Sequence, residues 1–202
     1  MLNWKNILHS FVLSLVILSC ESSLATTITL DLLDGVGEGT NDTTPIAPVG
    51  GNGGSTIGEQ RQIVMEYAAA MIEQIIDSDV VIVIEVEFNP MSCSSSSATL
   101  ASAGSLGWTQ SNSAPLNNTW YPYPLLNTLL GFDIAPSVAD IGVEANSSID
   151  NNNSCLNNTN FYYGLDGNAG GDIDFLSTML HEIIHGLGFQ TLVDLQTGVR
   201  PS

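Results

Sequence analysis

Residues 181–189 read HEIIHGLGF, two histidines four positions apart with a glutamate directly after the first. On a helix such a pair lies one turn apart and points the same way. His181 and His185 would therefore offer two ring nitrogens to one divalent ion, and zinc, which bonds imidazole at about 2.0–2.1 Å, suits them. Glu182 stands beside them, close enough to take a proton from a metal-bound water, the role of a general base. The competing reading makes both rings satisfied polar groups at the rim of a core. With 3 histidines and 9 glutamates in 202 residues, chance places His-Glu-x-x-His about two times in a thousand. The third histidine, His9, sits in the N-terminal segment, so both others belong to this motif.

The elements that must position these residues are legible from periodicity. Asp174 is a plausible N-cap, and Phe175, Met179 and Ile183, with Leu176, Leu180 and Ile184, make a core face for the histidine-bearing helix. Gly186 and Gly188 are expected to stop it, since glycine accepts a left-handed backbone. Upstream, Thr56 and Glu59 have the spacing of a capping box. The helix they open is expected to run to about Ile76, burying Ile63, Tyr67, Met71 and Ile75 with Val64, Ala68 and Ile72. Strands are expected at VVIVIEVEF (80–88), SVADIGVEA (137–145) and FYYGL (161–165). Serine-rich residues 92–104 and asparagine-rich residues 146–160 read as surface loops. Helix, strands and a final helix imply an α+β fold, with helices on one face of a mixed sheet.

Charge narrows the classes of partner. Three Lys and Arg against 21 Asp and Glu give a net charge of −18. Such a surface repels phosphate backbones and anionic lipid, which argues against nucleic acid. Residues 1–25 read as a signal peptide: Lys5, the apolar run FVLSLVIL (11–18) and a small-residue SLA (23–25). The apolar run is shorter than the roughly 20 residues that span a bilayer, so no membrane insertion is expected once the signal is removed. Removing this segment leaves Cys93 and Cys155 as an even pair, expected to form one disulfide in an oxidising compartment. The rival reading of ILSC anchors the chain by lipid on Cys20. Both readings take the protein out of the cytoplasm. Asn41, Asn117, Asn146 and Asn157 each begin an Asn-x-Ser/Thr sequon. Residues 26–58 form an irregular Gly/Thr/Asp-rich lead-in, and 59–202 the main domain.

Two further segments invite a functional reading. DGNAGGDID (166–174) alternates oxygen side chains with glycine as calcium loops do, but without their spacing, and a turn into the Asp174 cap is favoured. Trp108, Trp120 and the cluster WYPYPLL (120–126) are candidates to line a cleft, with core packing favoured.

HEIIHGLGF, preceded by FYYGLDGNAGGDIDFLSTML, resembles the zincin superfamily of zinc metallopeptidases. It is specifically similar to secreted bacterial peptidases whose active-site helix carries His-Glu-x-x-His-Gly-Leu-Gly-Phe. GGNGGSTIGEQR (50–61) and the helix–strand unit after it resemble the same group, so the likeness covers residues 45–198. The resemblance implies a zincin-like fold with a long N-terminal helix, His181 and His185 as Zn2+ ligands, and Glu182 as general base. It also implies a protein or peptide substrate lying along an edge strand above the metal. The third ligand stays open. The metzincin position, ten residues after the first histidine, is Thr191, a poor ligand; Asp194 is either a ligand or, as favoured, a surface turn residue. A ligand beyond Ser202 would make the chain one portion of a longer enzyme. The expectation is thus a secreted zinc-dependent endopeptidase; the alternative is a non-catalytic exported domain or inactive fragment serving as a binding or surface module.

Overall fold

The computed structural model describes residues 26–194 and 196–199. The readings of residues 1–25, the signal segment and the lipid anchor on Cys20, lie outside the described residues. In chain order the elements are β1 (Ile28–Leu32), α1 (Ile57–Glu73), β2 (Ile82–Asn89), β3 (Ala101–Ser105), β4 (Trp108–Thr109), β5 (Tyr121–Pro122) and α2 (Tyr123–Leu130). β6 (Ile141–Asn146), α3 (Ser148–Asn151), β7 (Phe161–Tyr162), β8 (Ile173–Asp174) and α4 (Phe175–Gly186) follow. Among the described residues no helix is long and apolar enough to cross a membrane.

The main sheet runs β1-β2-β6-β3, parallel except for β3, which pairs antiparallel with β6 at one edge. The fold is α+β with a mixed sheet. Alternation along β2 turns Ile82, Ile84, Val86 and Phe88 inward, and Ile141, Val143 and Ala145 of β6 join them. Val64, Met65, Ala68, Ala69 and Ile72 of α1 and Phe175, Leu176, Met179 and Ile183 of α4 complete that core. The outward residues of the same strands include Glu85, Glu87 and Glu144, with Glu87 directly across from Glu144.

Two departures from the sequence reading, at β3 and on α1, share a cause, the concealment of buried positions by small or polar residues. Residues 28–32, assigned to the lead-in, form edge strand β1. The stretch ASAGS in the expected serine-rich loop is β3, whose small side chains let α4 lie close. On α1 the buried stripe includes Val64, Ala68 and Ile72 as expected, but adds Gln60, Arg61, Met65 and Ala69, leaving Tyr67 and Ile75 exposed. The helix also ends at Glu73, earlier than Ile76. The expected strands at 137–145 and 161–165 shorten to β6 and to the two-residue β7.

Local chemistry holds where it depends on neighbours in sequence. Glu59 donates its N–H to Thr56 Oγ1, and its carboxylate accepts the Thr56 N–H, each at 3.2 Å, closing the capping box. Cys93 and Cys155 form a disulfide across 62 residues, a loop whose closure stabilises by about 4 kcal/mol in the chain-entropy account. Asn146, read as a sequon, is fully buried; its carboxamide oxygen accepts from Met91 and Ser148 N–H and its nitrogen donates to the Thr99 carbonyl. In the folded chain it is no glycan acceptor.

The interior also holds a cation. Arg61, 1% exposed, donates from Nη2 to Asp150 at 2.8 Å, from Nη1 to the Gly39 carbonyl at 2.8 Å, and from Nε to the Tyr163 hydroxyl at 2.8 Å. Its Cζ stands 4.4 Å from the Phe88 ring centroid. Burial, then the Asp150 charge, pushes the Tyr163 phenol well above its ordinary pKa, so it remains a donor to Asp150.

Candidate metal centre

α4 starts where Asp174 Oδ1 accepts the Ser177 N–H at 2.6 Å. Its position is fixed by Phe175, whose ring meets Phe161 and Tyr163 edge-on at centroid distances of 4.9 and 5.1 Å. With that face turned inward, the helical period sends His181 to the exposed rim and leaves His185 half-buried beside it. Their rings stand perpendicular, and the two Nε2 atoms are 2.9 Å apart.

The end of α4 settles which nitrogen of His185 carries a proton. Gly188 adopts φ +116, and the Phe189 N–H bonds to the Ile184 carbonyl while the Gly188 N–H bonds to that of His185. This is a Schellman motif. The turn brings the Phe189 carbonyl 2.7 Å from His185 Nδ1. A carbonyl only accepts, so Nδ1 holds the hydrogen, and in the neutral ring Nε2 keeps its lone pair. That lone pair faces His181 Nε2. Either His181 donates one N–H across the gap, or both Nε2 lone pairs converge on a shared cation. Gly186, expected to stop the helix, is helical instead; a Cβ there would lie 2.2 Å from Ile141 Cγ2, so it is glycine because α4 touches β6.

Glu182 is only 8% exposed and falls within the core-facing stripe between Met179 and Gly186. Among the described residues its carboxylate takes no hydrogen bond and enters no salt bridge. The side chain is held in the packed face while its carboxylate oxygens stay free of protein partners, which makes the position a candidate for chemistry. Sequence spacing finds Glu182 but not its burial.

The remaining candidates fall elsewhere. Thr191 is exposed and its hydroxyl accepts the Val193 N–H. Asp194 Oδ1 accepts from the Thr197 N–H, the Thr197 hydroxyl and the Gln196 N–H, bonds that hold its carboxyl below the usual range and organise a surface turn. Asp166, Asp172 and Asp174 are each engaged locally: Asp166 with Asn168 N–H and the Tyr162 hydroxyl, Asp172 with Asn160 N–H, Asp174 in its cap. Among the described residues no group of three or more His, Cys, Asp and Glu gathers at one point. The imidazole pair, one ring with its tautomer fixed by a carbonyl, could supply two ring nitrogens to a metal ion.

The family model described as SPBPB7E8-like matches residues 52–197. The chain belongs to that family. No curated protein and no solved structure matches it. The matched span opens at Asn52, whose amide nitrogen donates to the Gln60 and Tyr163 carbonyls, and takes in Arg61, Asp150, Glu182 and both histidines. β1 precedes it.

Proposed function

We propose that this chain is an exported zinc-dependent endopeptidase in which His181 and His185 hold the metal and Glu182 is the general base. The observation that carries the reading is the 2.9 Å approach of the two Nε2 atoms, with His185 Nδ1 engaged by the Phe189 carbonyl. Zinc, when bound, would lower the pKa of water and polarise the scissile carbonyl. Glu182 Oε would accept the proton from the attacking water and deliver it to the leaving amine nitrogen. Glu182 lies next to His181 on the same helix and takes no hydrogen bond from the described residues, which leaves its oxygens free for this role. Edge strand β3, lying against α4, offers unpaired backbone groups to an extended peptide in the manner a zincin fold requires. The Cys93–Cys155 disulfide suits an oxidising compartment and hence export.

A second reading, a non-catalytic exported binding module, is favoured by one observation: the described residues supply two ring nitrogens and no third ligand beside them. Metal analysis of the purified chain after dialysis against zinc, paired with casein cleavage, separates the two. The peptidase reading expects one tightly held zinc, lost in His185→Ala, and cleavage lost in Glu182→Gln with the zinc retained. Zinc bound while casein stays intact selects the binding module. A chain that takes up no zinc sinks the first reading.

A further inference from the structure

β1 is the outer strand of the main sheet on the side opposite β3, and among the described residues no strand pairs with its far edge. In a parallel ladder, alternate residues of a strand bond to one neighbour, and the residues between them turn their N–H and C=O to the other side. The Thr27 carbonyl accepts from the Ile82 N–H and the Leu33 N–H donates to the Val86 carbonyl, so the odd-numbered residues serve β2. Ile28, Leu30 and Leu32 therefore present their backbone groups to the open edge. One of these is already claimed, since Glu73 Oε1 of α1 accepts the Ile28 N–H at 2.6 Å. The N–H and C=O of Leu30 and Leu32 have no partner among the described residues.

α1 overhangs that edge. Between the two lies a groove of about 350 Å³, with Leu30 and Leu32 on its β1 side and Glu66, Ala69, Ala70 and Glu73 on its α1 side. The alanines leave the room, and the carboxylates set the charge. Among the described residues neither Glu66 nor Glu73 has a basic partner, and exposed Asp31 carries the same sign on the other face of β1. An extended chain laid in this groove would gain ladder bonds from Leu30 and Leu32, and its side chains would lie among carboxylates. Lysine or arginine meets that requirement. A second copy does not, since it brings the same Glu66 and Glu73 in a chain of 21 acidic and 3 basic residues.

We propose that the β1 edge docks a basic, extended segment of a partner protein as a fifth strand of the main sheet, its backbone paired with Leu30 and Leu32 and its cationic side chains set against Glu66 and Glu73. This edge is the opposite one from β3, so the proposal does not rest on the metal centre or on cleavage.

The test titrates the full chain at physiological salt into dansyl-labelled Lys-Val-Lys-Val-Lys-amide while following anisotropy. One control is the same peptide N-methylated at every residue, which keeps the charge and removes the backbone donors; the other is Glu-Val-Glu-Val-Glu-amide. The lysine peptide is expected to bind saturably and to slow exchange of the Leu30 and Leu32 amide hydrogens. N-methylation is expected to raise Kd by on the order of tenfold, and the glutamate peptide to stay unbound at millimolar concentration. Leu30→Pro removes one outward donor without touching a bond to β2, and is expected to weaken binding by on the order of tenfold. Should that variant fail to fold, Glu66→Lys, at an exposed position, gives an independent loss of about threefold. Equal affinity for the N-methylated peptide would mean attraction by charge alone and overturns the proposal. Unchanged exchange at Leu30 and Leu32, binding indifferent to Glu66→Lys, or self-association of the chain that Leu30→Pro abolishes overturns it as well.

Discussion

The amino-terminal part of α1 and the carboxyl-terminal part of α4 both enclose an ionisable side chain, and they treat it in opposite ways. Around Arg61 each guanidinium nitrogen donates a hydrogen bond, to Asp150, the Tyr163 hydroxyl and the Gly39 carbonyl, with the Phe88 face above. Glu182 takes no hydrogen bond from the described residues, and the two imidazoles of the same helix meet each other at Nε2. A closed network is scaffold, because removing any member leaves a charge stranded. A carboxylate on a packed helix face whose oxygens take no protein partner leaves them available to a reactant.

The sharpest way to break that contrast is Asp150→Ala. Arg61 would keep its burial and lose its hydrogen-bonded charge partner, leaving only the Asp42 carboxylate 4.0 Å from Nη1, and stability to urea is expected to fall by about 3–5 kcal/mol. A loss below about 1 kcal/mol would show that the network is not scaffold. Glu182→Gln tests the other side: cleavage is expected to drop by about 10²–10⁴-fold while urea stability stays within about 0.5 kcal/mol, since no protein hydrogen bond is lost. Marked unfolding of that variant would place Glu182 with Arg61 as structure.

The next effect is smaller and addresses the turn. Gly188→Val combines a left-handed φ with a close contact to Pro122, displacing the Phe189 carbonyl from His185 Nδ1. Zinc affinity, read by chelator competition, is expected to fall about 10–100-fold, the usual consequence of losing the bond that orients a ligand ring. Unchanged affinity in a folded variant would detach the tautomer from metal binding.

The smallest expected effect is a pH slope. Burial raises the Asp140 pKa against bonds from the Val83 N–H and Asn127, with the Asp133 charge also raising it. The native state therefore holds this proton more tightly than the unfolded chain does. Its contribution is fully present below the unfolded value of about 3.9 and is lost as pH rises through the higher folded value. In Asp140→Asn, urea melts from pH 3 to 7 are expected to lack that part of the decline.

How much could be read without coordinates varied with the distance over which each interaction acts. Thr56 with Glu59, and Asp174 with Ser177, join residues three apart, and both caps form as their spacing predicts. The histidines share a rim because four residues make about one turn. Arg61 defeats periodicity: a charged residue inside the stripe of α1 is intelligible only once Asp150 and Tyr163 arrive from 89 and 102 residues away. Gly186 similarly reads as a terminator until Ile141 is seen against it. Trp108 and Trp120 of the expected apolar cluster divide from the buried Tyr121 and Leu126 for the same reason, since the residues they face, Gln190 to Val193, come from behind α4.

Sequence alone determined the caps, the half-buried alternation of β2, the i, i+4 imidazole pair and the cysteines available to bond, because each follows from local geometry or composition. Tertiary structure decided which ionisable groups are satisfied, which glycines are packing contacts, and that β3 closes the sheet beside α4. Burial and hydrogen-bond completion are properties of what the rest of the chain brings within about 3 Å of an atom, and no local spacing specifies them.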